Sequence, residues 1–302
     1  MKSDREKSLL KNTFIITIGK ICTQLITFFL LPLYTSILTT AEFGLVDLLN
    51  TLVMLLIPIV TFQVEQAVFR FLIDCRDNEE RKNTIISSSI YSVILQCILF
   101  TFLYLICSFF INNEYKIYLL LNVIAYIFSS LLLQIARGIG DNKLYSLGSF
   151  ISASFTIIFN VLLLVIFKLG AIGMLLGTFI GQAVLILFIL WKLNIINILL
   201  KNKLNKKIVL ELWKYSFPLI PNALSWWIFN ASDRVIVSAI LGVSLNGILA
   251  AASKFSTVYI TIYNIFSMSW TESVSVNIND DDIENYFNNI FDFVIRIFVS
   301  LA

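Results

Sequence analysis

Long apolar runs separated by short polar connections dominate the chain. The hydrocarbon core of a bilayer, about 30 Å thick, is crossed by roughly 20 apolar residues in helical conformation. Runs of that size lie at 12–33, 44–71, 84–111, 117–136, 145–167, 169–191, 215–241 and 247–272. A ninth begins near Tyr286 and stops at Ala302, part-way across a membrane. The pattern predicts an all-α polytopic membrane protein, truncated at its C-terminal end.

Within several runs the polar residues keep helical phase. Thr13, Thr17, Lys20, Gln24 and Thr27 recur every three or four residues. So do Asp47, Thr51, Met54, Pro58, Thr61 and Glu65, and again Lys254, Thr257, Thr261, Asn264, Met268 and Glu272. Residues at such spacing share one helix face. The seventh run carries a looser arc of Asn222, Ser225, Asn230 and Asp233. The fifth has an uncharged stripe, Ser149, Ser152, Thr156 and Asn160. That stripe reads as helix packing, as do Gly173, Gly177 and Gly181 in the sixth. All four prolines, Pro32, Pro58, Pro218 and Pro221, fall in runs one, two and seven, which predicts bent helices there.

An internal repeat is visible. Ile37 to Gly44 reads ILTTAEFG and Ile240 to Gly247 reads ILGVSLNG, at an offset of 203 residues. The offset carries Thr51 onto Lys254, Thr61 onto Asn264 and Glu65 onto Met268, so the polar faces of runs two and eight coincide. Six runs separate the copies, an even number, which predicts parallel halves around a shared cavity. The expected division is a six-helix bundle over 1–200, with a basic linker from about 192, and an incomplete second bundle over 201–302.

Charge sharpens this picture. Lysine and arginine crowd one set of loops: Lys2, Arg5, Lys7, Lys11; Arg76, Arg81, Lys82; Arg137, Lys143; and the segment Lys192 to Lys214. The opposite set holds only Lys116 and Lys168. The positive-inside rule places the N-terminus in the cytoplasm. Charges inside runs are confined to the first two helices of each half and the fragmentary end. A charge at mid-membrane costs at least about 2.5–3.5 kcal/mol, so these residues point to a polar path. The chain has no histidine, and its four cysteines show no metal-site spacing. No metal, cofactor or nucleic-acid partner is expected, and a membrane-embedded polymerase or acyltransferase finds few candidate acids and bases. Asp233 and Arg234 are adjacent, so each is expected to face another helix.

Two segments carry a family likeness: LPLYTSILTTAEFGLVDLLNTL, Leu31 to Leu52, and FPLIPNALSWWIFNASDRVIVSAILGVSLNGILAAASKF, Phe217 to Phe255. With its prolines, Asp-Arg pair, Gly-x4-Gly turn and following lysine, the chain resembles the polysaccharide transporters of the MOP (MATE-like) superfamily, the Wzx-type O-antigen and capsule repeat-unit flippases. The resemblance implies two helical bundles and alternating access. It implies a cargo of undecaprenyl-pyrophosphate-linked oligosaccharide, moved across a bacterial plasma membrane among membrane lipids. It places cationic contacts to the pyrophosphate on Lys20, Arg70 and Lys254; Gln24, Asn230 and Arg234, polar or charged residues within runs one and seven, are further candidate substrate contacts. Glu65, Asp233 and Glu272 are the candidates for a coupling proton or sodium ion. A MATE-type cation-coupled multidrug antiporter is the alternative.

Overall fold

Thr39 and Glu42 start the first long helix among the described residues. The Thr39 hydroxyl accepts from the Glu42 amide at 3.2 Å, and the Glu42 carboxylate accepts from the Thr39 amide at 2.9 Å. This reciprocal cap contributes about 1 kcal/mol and fixes where the helix begins. A computed structural model of the protein describes residues 30–109 and 113–254, with 256, 260 and 299. The chain divides into two compact units, Met1–Phe255 and Ser256–Ala302, and the helices named here lie in the first. Nearly all of the first predicted run, and most of the eighth and ninth, lie outside the described residues.

Among the described residues the structure is helical, without strands. In chain order the helices are α1 (Leu31–Ile37), α2 (Thr40–Thr61), α3 (Val64–Ile73), α4 (Glu79–Phe109), α5 (Lys116–Gly138) and α6 (Asn142–Val161). After a π-helical turn, Leu162–Ile166, come α7 (Gly170–Lys192), α8 (Ile195–Lys201) and α9 (Lys206–Ser216). A 3-10 turn, Phe217–Leu219, leads into α10 (Ile220–Ile240), and residues 243–254 form α11. Five helices, α2, α4, α5, α6 with its π-helical extension, and α7, are long and apolar enough to cross a membrane. Outward-facing Leu95, Leu99 and Phe102 on α4, and Leu187 and Trp191 on α7, are exposed. An apolar surface of this extent suits lipid rather than water.

The structure departs from the predicted spans in three places. The run 44–71 is two helices, because Phe62 and Gln63 both adopt left-handed backbone, with φ of 53° and 59°. That conformation costs roughly 1–2 kcal/mol per residue without glycine, and surrounding contacts offset it. The Phe62 ring meets Trp213 and Phe217 edge-on, the Gln63 amide donates to the Thr61 hydroxyl, and Gln96 donates to the Thr61 carbonyl. The run 215–241 takes in the end of α9, is interrupted by the 3-10 turn and resumes as α10 at Ile220, and α10 is not among the five spans. The prolines mostly start helices: Pro32 and Pro221 occupy first turns and Pro218 the 3-10 turn, where a missing N–H is harmless. Only Pro58 lies inside a helix.

Two packing seams position the site. On α7, Gly177 lies against Asn160 and Gly181 against Ser152 and Thr156 of α6, so that an added side-chain carbon would collide with them. At the second seam α2 crosses α11. A carbon added to Gly44 would strike the Val243 carbonyl and the Gly247 backbone, and one added to Gly247 would strike the Thr40 carbonyl and the Gly44 amide. The contact is reciprocal under the 203-residue offset: 40 pairs with 243 and 44 with 247. Asn246 seals it by donating to the Gly44 carbonyl at 2.8 Å. The two copies of the short motif touch each other through their matched glycines.

Candidate functional site

A cavity of 510 Å³ opens among α2, α5, α6, α7 and Lys254 of α11, with Tyr34 of α1 at its wall. Helix α6 supplies Tyr145, Ser149, Ser152, Thr156 and Asn160, the stripe expected only to pack. The stripe does both jobs. Its edge against Gly177 and Gly181 holds α6 close to α7, and its other edge faces the cavity. Tyr126, Ser129, Ser130 and Gln134 of α5, Gln182 of α7 and Asn50 of α2 complete a surface of hydroxyls and amides. Asp47 and Lys254 are the charged lining residues.

Asp47 organises the charged corner. The Arg234 guanidinium donates from Nη1 to its carboxylate at 2.5 Å, with the two side chains 16% and 20% exposed, so this pair is largely removed from solvent. Lys254 stands within electrostatic reach of both. Nearby, the Trp227 indole N–H donates to the Thr51 carbonyl at 2.9 Å. Helix α10 is thus tied to α2 by one ion pair and one hydrogen bond, both between residues far apart in sequence. Deeper in the cavity, Asn160, 4% exposed, donates to the Tyr34 hydroxyl at 3.4 Å.

The expected site residues scatter. Arg234 and Lys254 come together at Asp47. Asp233, expected to face another helix, is engaged among the described residues by its own neighbour: its carboxylate accepts from the Arg234 amide at 2.8 Å and lies 3.6 Å from Arg234 Nε. Asn230 is exposed, donates to the Trp226 carbonyl of its own helix and does not line the cavity. Arg70 pairs with Asp74 at 3.0 Å on an exposed helix end, away from the cavity lining. Glu65 is buried beyond the α2–α3 break and is not a lining residue. The polar stripe from Asp47 to Glu65 does not stay on one face, since Met54 is 57% exposed while Thr51 and Thr61 are buried. Lys20, Gln24 and Glu272 lie outside the described residues. The polar groups of α5 and α7 were given no role from the sequence, although a spacing signal was there: Tyr126, Ser130 and Gln134 recur every four residues on α5, and Gln182 follows Thr178 by four on α7.

Helices long and apolar enough to cross a membrane thus surround a polar cavity, with an ion pair between helices at one corner. The fold is that of MATE-like transporters of the MOP superfamily. A MATE protein in complex with Br-NRF superposes with a TM-score of 0.62 at 18% identity, covering 90% of this chain and 73% of that one. A multidrug resistance MATE family transporter in an outward-facing conformation gives 0.61 at 16%, covering 90% and 69%. A MOP superfamily transporter from Pyrococcus furiosus Vc1 (DSM3638), described for the reverse polarity of its binding pocket, gives 0.62 at 17%, covering 90% and 69%. Comparison with curated proteins gives no match. The chain belongs to the polysaccharide biosynthesis protein family, whose model matches residues 9–271. Its described residues fold as a multi-pass helical bundle of the kind those structures show.

Proposed function

We propose that the protein flips undecaprenyl-pyrophosphate-linked oligosaccharide repeat units across a bacterial plasma membrane, as a Wzx-type flippase working by alternating access between two bundles. One observation carries the reading: the cavity is lined by neutral hydroxyls and amides, with Lys254, and Arg234 behind Asp47, at one corner. Sugar hydroxyls both donate and accept hydrogen bonds, and Ser, Thr, Tyr, Asn and Gln side chains answer both ways. A pyrophosphate calls for cations, which Lys254 supplies at once and Arg234 supplies if Asp47 releases it. Lys20 joins the substrate contacts on the strength of the resemblance, and Gln24 because it shares a helix face with Lys20. The geometry gives Arg70 and Asn230 less support than Arg234 and Lys254. A proton or sodium ion on Glu65, Asp233 or Glu272 would couple transport to a gradient. The basic loops support an N-terminus in the cytoplasm.

The alternative, a cation-coupled multidrug antiporter, draws on the MATE likeness of the fold. A cationic cargo favours an acid-dominated cavity, whereas among the described residues the one carboxylate lining this cavity is paired with Arg234. The test is complementation of a strain lacking its repeat-unit flippase. The full-length protein should restore surface polysaccharide, and Lys254→Ala and Asn160→Leu should each abolish it. Full polysaccharide with both variants sinks the proposal. A drug-resistance phenotype without any polysaccharide phenotype favours the antiporter.

A further inference from the structure

Six lysines, Lys192, Lys201, Lys203, Lys206, Lys207 and Lys214, crowd the segment from the end of α7 to the end of α9, against one carboxylate, Glu211. All six are exposed, and none forms an ion pair among the described residues. A basic segment at the end of a span serves orientation by charge alone. Charge alone does not account for what stands between these lysines. On α8, Ile196 and Leu200 are four residues apart and 61% and 80% exposed. On α9, Lys206, Leu210 and Lys214 recur every four residues on the outer face, with Lys207 beside them, while Leu212 and Ser216 are buried on the opposite one. In water an exposed leucine among lysines leaves apolar surface hydrated at a cost. At the boundary of a bilayer the same face is favourable, because leucine enters the acyl region while ammonium groups reach the phosphates.

This lysine-bearing segment is held in place from its inner side. Three hydrogen bonds tie it to α4: the Tyr91 hydroxyl donates to the Leu199 carbonyl at 2.9 Å, the Asn205 amide to the Ser88 hydroxyl at 3.1 Å, and the Trp213 indole to the Ser92 hydroxyl at 3.0 Å. The Asn205 side chain caps α9, accepting from the Lys207 and Ile208 amides at 3.0 and 3.3 Å. The outer lysines and leucines therefore stand on a fixed frame, and less ordering remains to be done when a ligand binds. Trp191, exposed beside Lys192 at the end of α7, sits where an indole ring suits the headgroup level.

We propose that α8 and α9 form a docking platform for the anionic phospholipids of the bilayer. Leu200 and Leu210 seat the segment in the interface, and Lys203, Lys206 and Lys207 receive the phosphates of headgroups that carry net negative charge. Charge complementarity selects this occupant. Lysine meets a phosphate as a point charge without demanding one geometry. A zwitterionic headgroup brings an ammonium of its own, which the lysines repel. Basic clusters at the end of a span are drawn to anionic lipid surfaces, and here a single carboxylate opposes six lysines. The platform is separate from the cavity, which none of these residues lines, and it does not rest on the transport reading.

The test uses the full-length protein in phosphatidylcholine bilayers, without cargo. Spin-labelled phosphatidylglycerol or phosphatidylcholine is added in trace, and electron paramagnetic resonance reads the fraction of label immobilised at the protein. The wild type should favour phosphatidylglycerol about fivefold, the attraction of one well-placed lysine, and should lose the preference at high salt. The triple variant Lys203→Gln, Lys206→Gln, Lys207→Gln should lose it already at low salt. Leu200→Asn with Leu210→Asn, which keeps every lysine, should weaken it. All five positions are exposed, so the variants should fold, and an unchanged thermal midpoint checks that they do. No preference in the wild type overturns the platform and leaves the lysines to orientation or to an acidic protein partner. A full preference in the lysine variant overturns it too, as does a full preference in the leucine variant, since charge without an interfacial seat would then suffice. With no cargo present, each of these results leaves the transport reading intact. Intact lipid preference with no polysaccharide phenotype sinks only the transport reading.

Discussion

Asp47 faces two cations at once, Arg234 through a direct ion pair and Lys254 across the cavity corner. Breaking a largely buried pair leaves the surviving charge without compensation, which costs about 3 kcal/mol or more. Asp47→Ala is therefore expected to lower the thermal unfolding midpoint of the protein in detergent, and Arg234→Ala to do the same. The charge swap Asp47→Arg with Arg234→Asp should recover part of the loss. A swap no better than the single variants means that another interaction ties α10 to α2. At this scale the sequence showed which residues were costly to place in a membrane. It did not show that the partners stood 187 positions apart.

Glycine decides geometry at the element scale. The α2–α11 crossing tolerates no side chain on Gly44 or Gly247, because backbone atoms occupy the space. Backbone yields less than a flexible side chain, so Gly44→Ala and Gly247→Ala are each expected to cost about 1–3 kcal/mol. The two share one contact, so the double variant should cost less than the sum; calorimetry on the four proteins checks it, and simple additivity would mean the helices adjust separately. At the other seam Gly181→Val would force α7 off Thr156 and distort the cavity wall, lowering polysaccharide output while the protein still inserts in the membrane. Of these seams, the glycines of α7 and the polar phase of α6 were legible from spacing alone. The break after α2 was not, since neither Phe62 nor Gln63 carries a local signal for left-handed backbone. Aromatic contacts from Trp213 and Phe217, and a hydrogen bond from Gln96, stabilise it from distant parts of the chain.

For the whole molecule, the lysine and arginine asymmetry sets an orientation that labelling can check. In a background where exposed Cys107 is replaced, Glu114→Cys should react with an impermeant thiol reagent applied to intact cells. Asn202→Cys, in the lysine-bearing segment, should react only after the membrane is opened. The reverse pattern overturns the cytoplasmic placement of the N-terminus.

Apolar length by itself determined that this is a helical membrane protein, because a bilayer demands continuous apolar helices whatever their neighbours. Periodicity determined which polar residues share a helix face, since 3.6 residues per turn is a local property. What only the tertiary structure decided is where each face looks. The α6 stripe, legible as packing, also lines the cavity, and the run containing Glu65 breaks so that Glu65 leaves it. Arg234 finds Asp47, and the matched glycines of the repeat meet each other. These outcomes depend on how helices distant in sequence cross, and crossing is set by backbone approach and side-chain volume that no local spacing records.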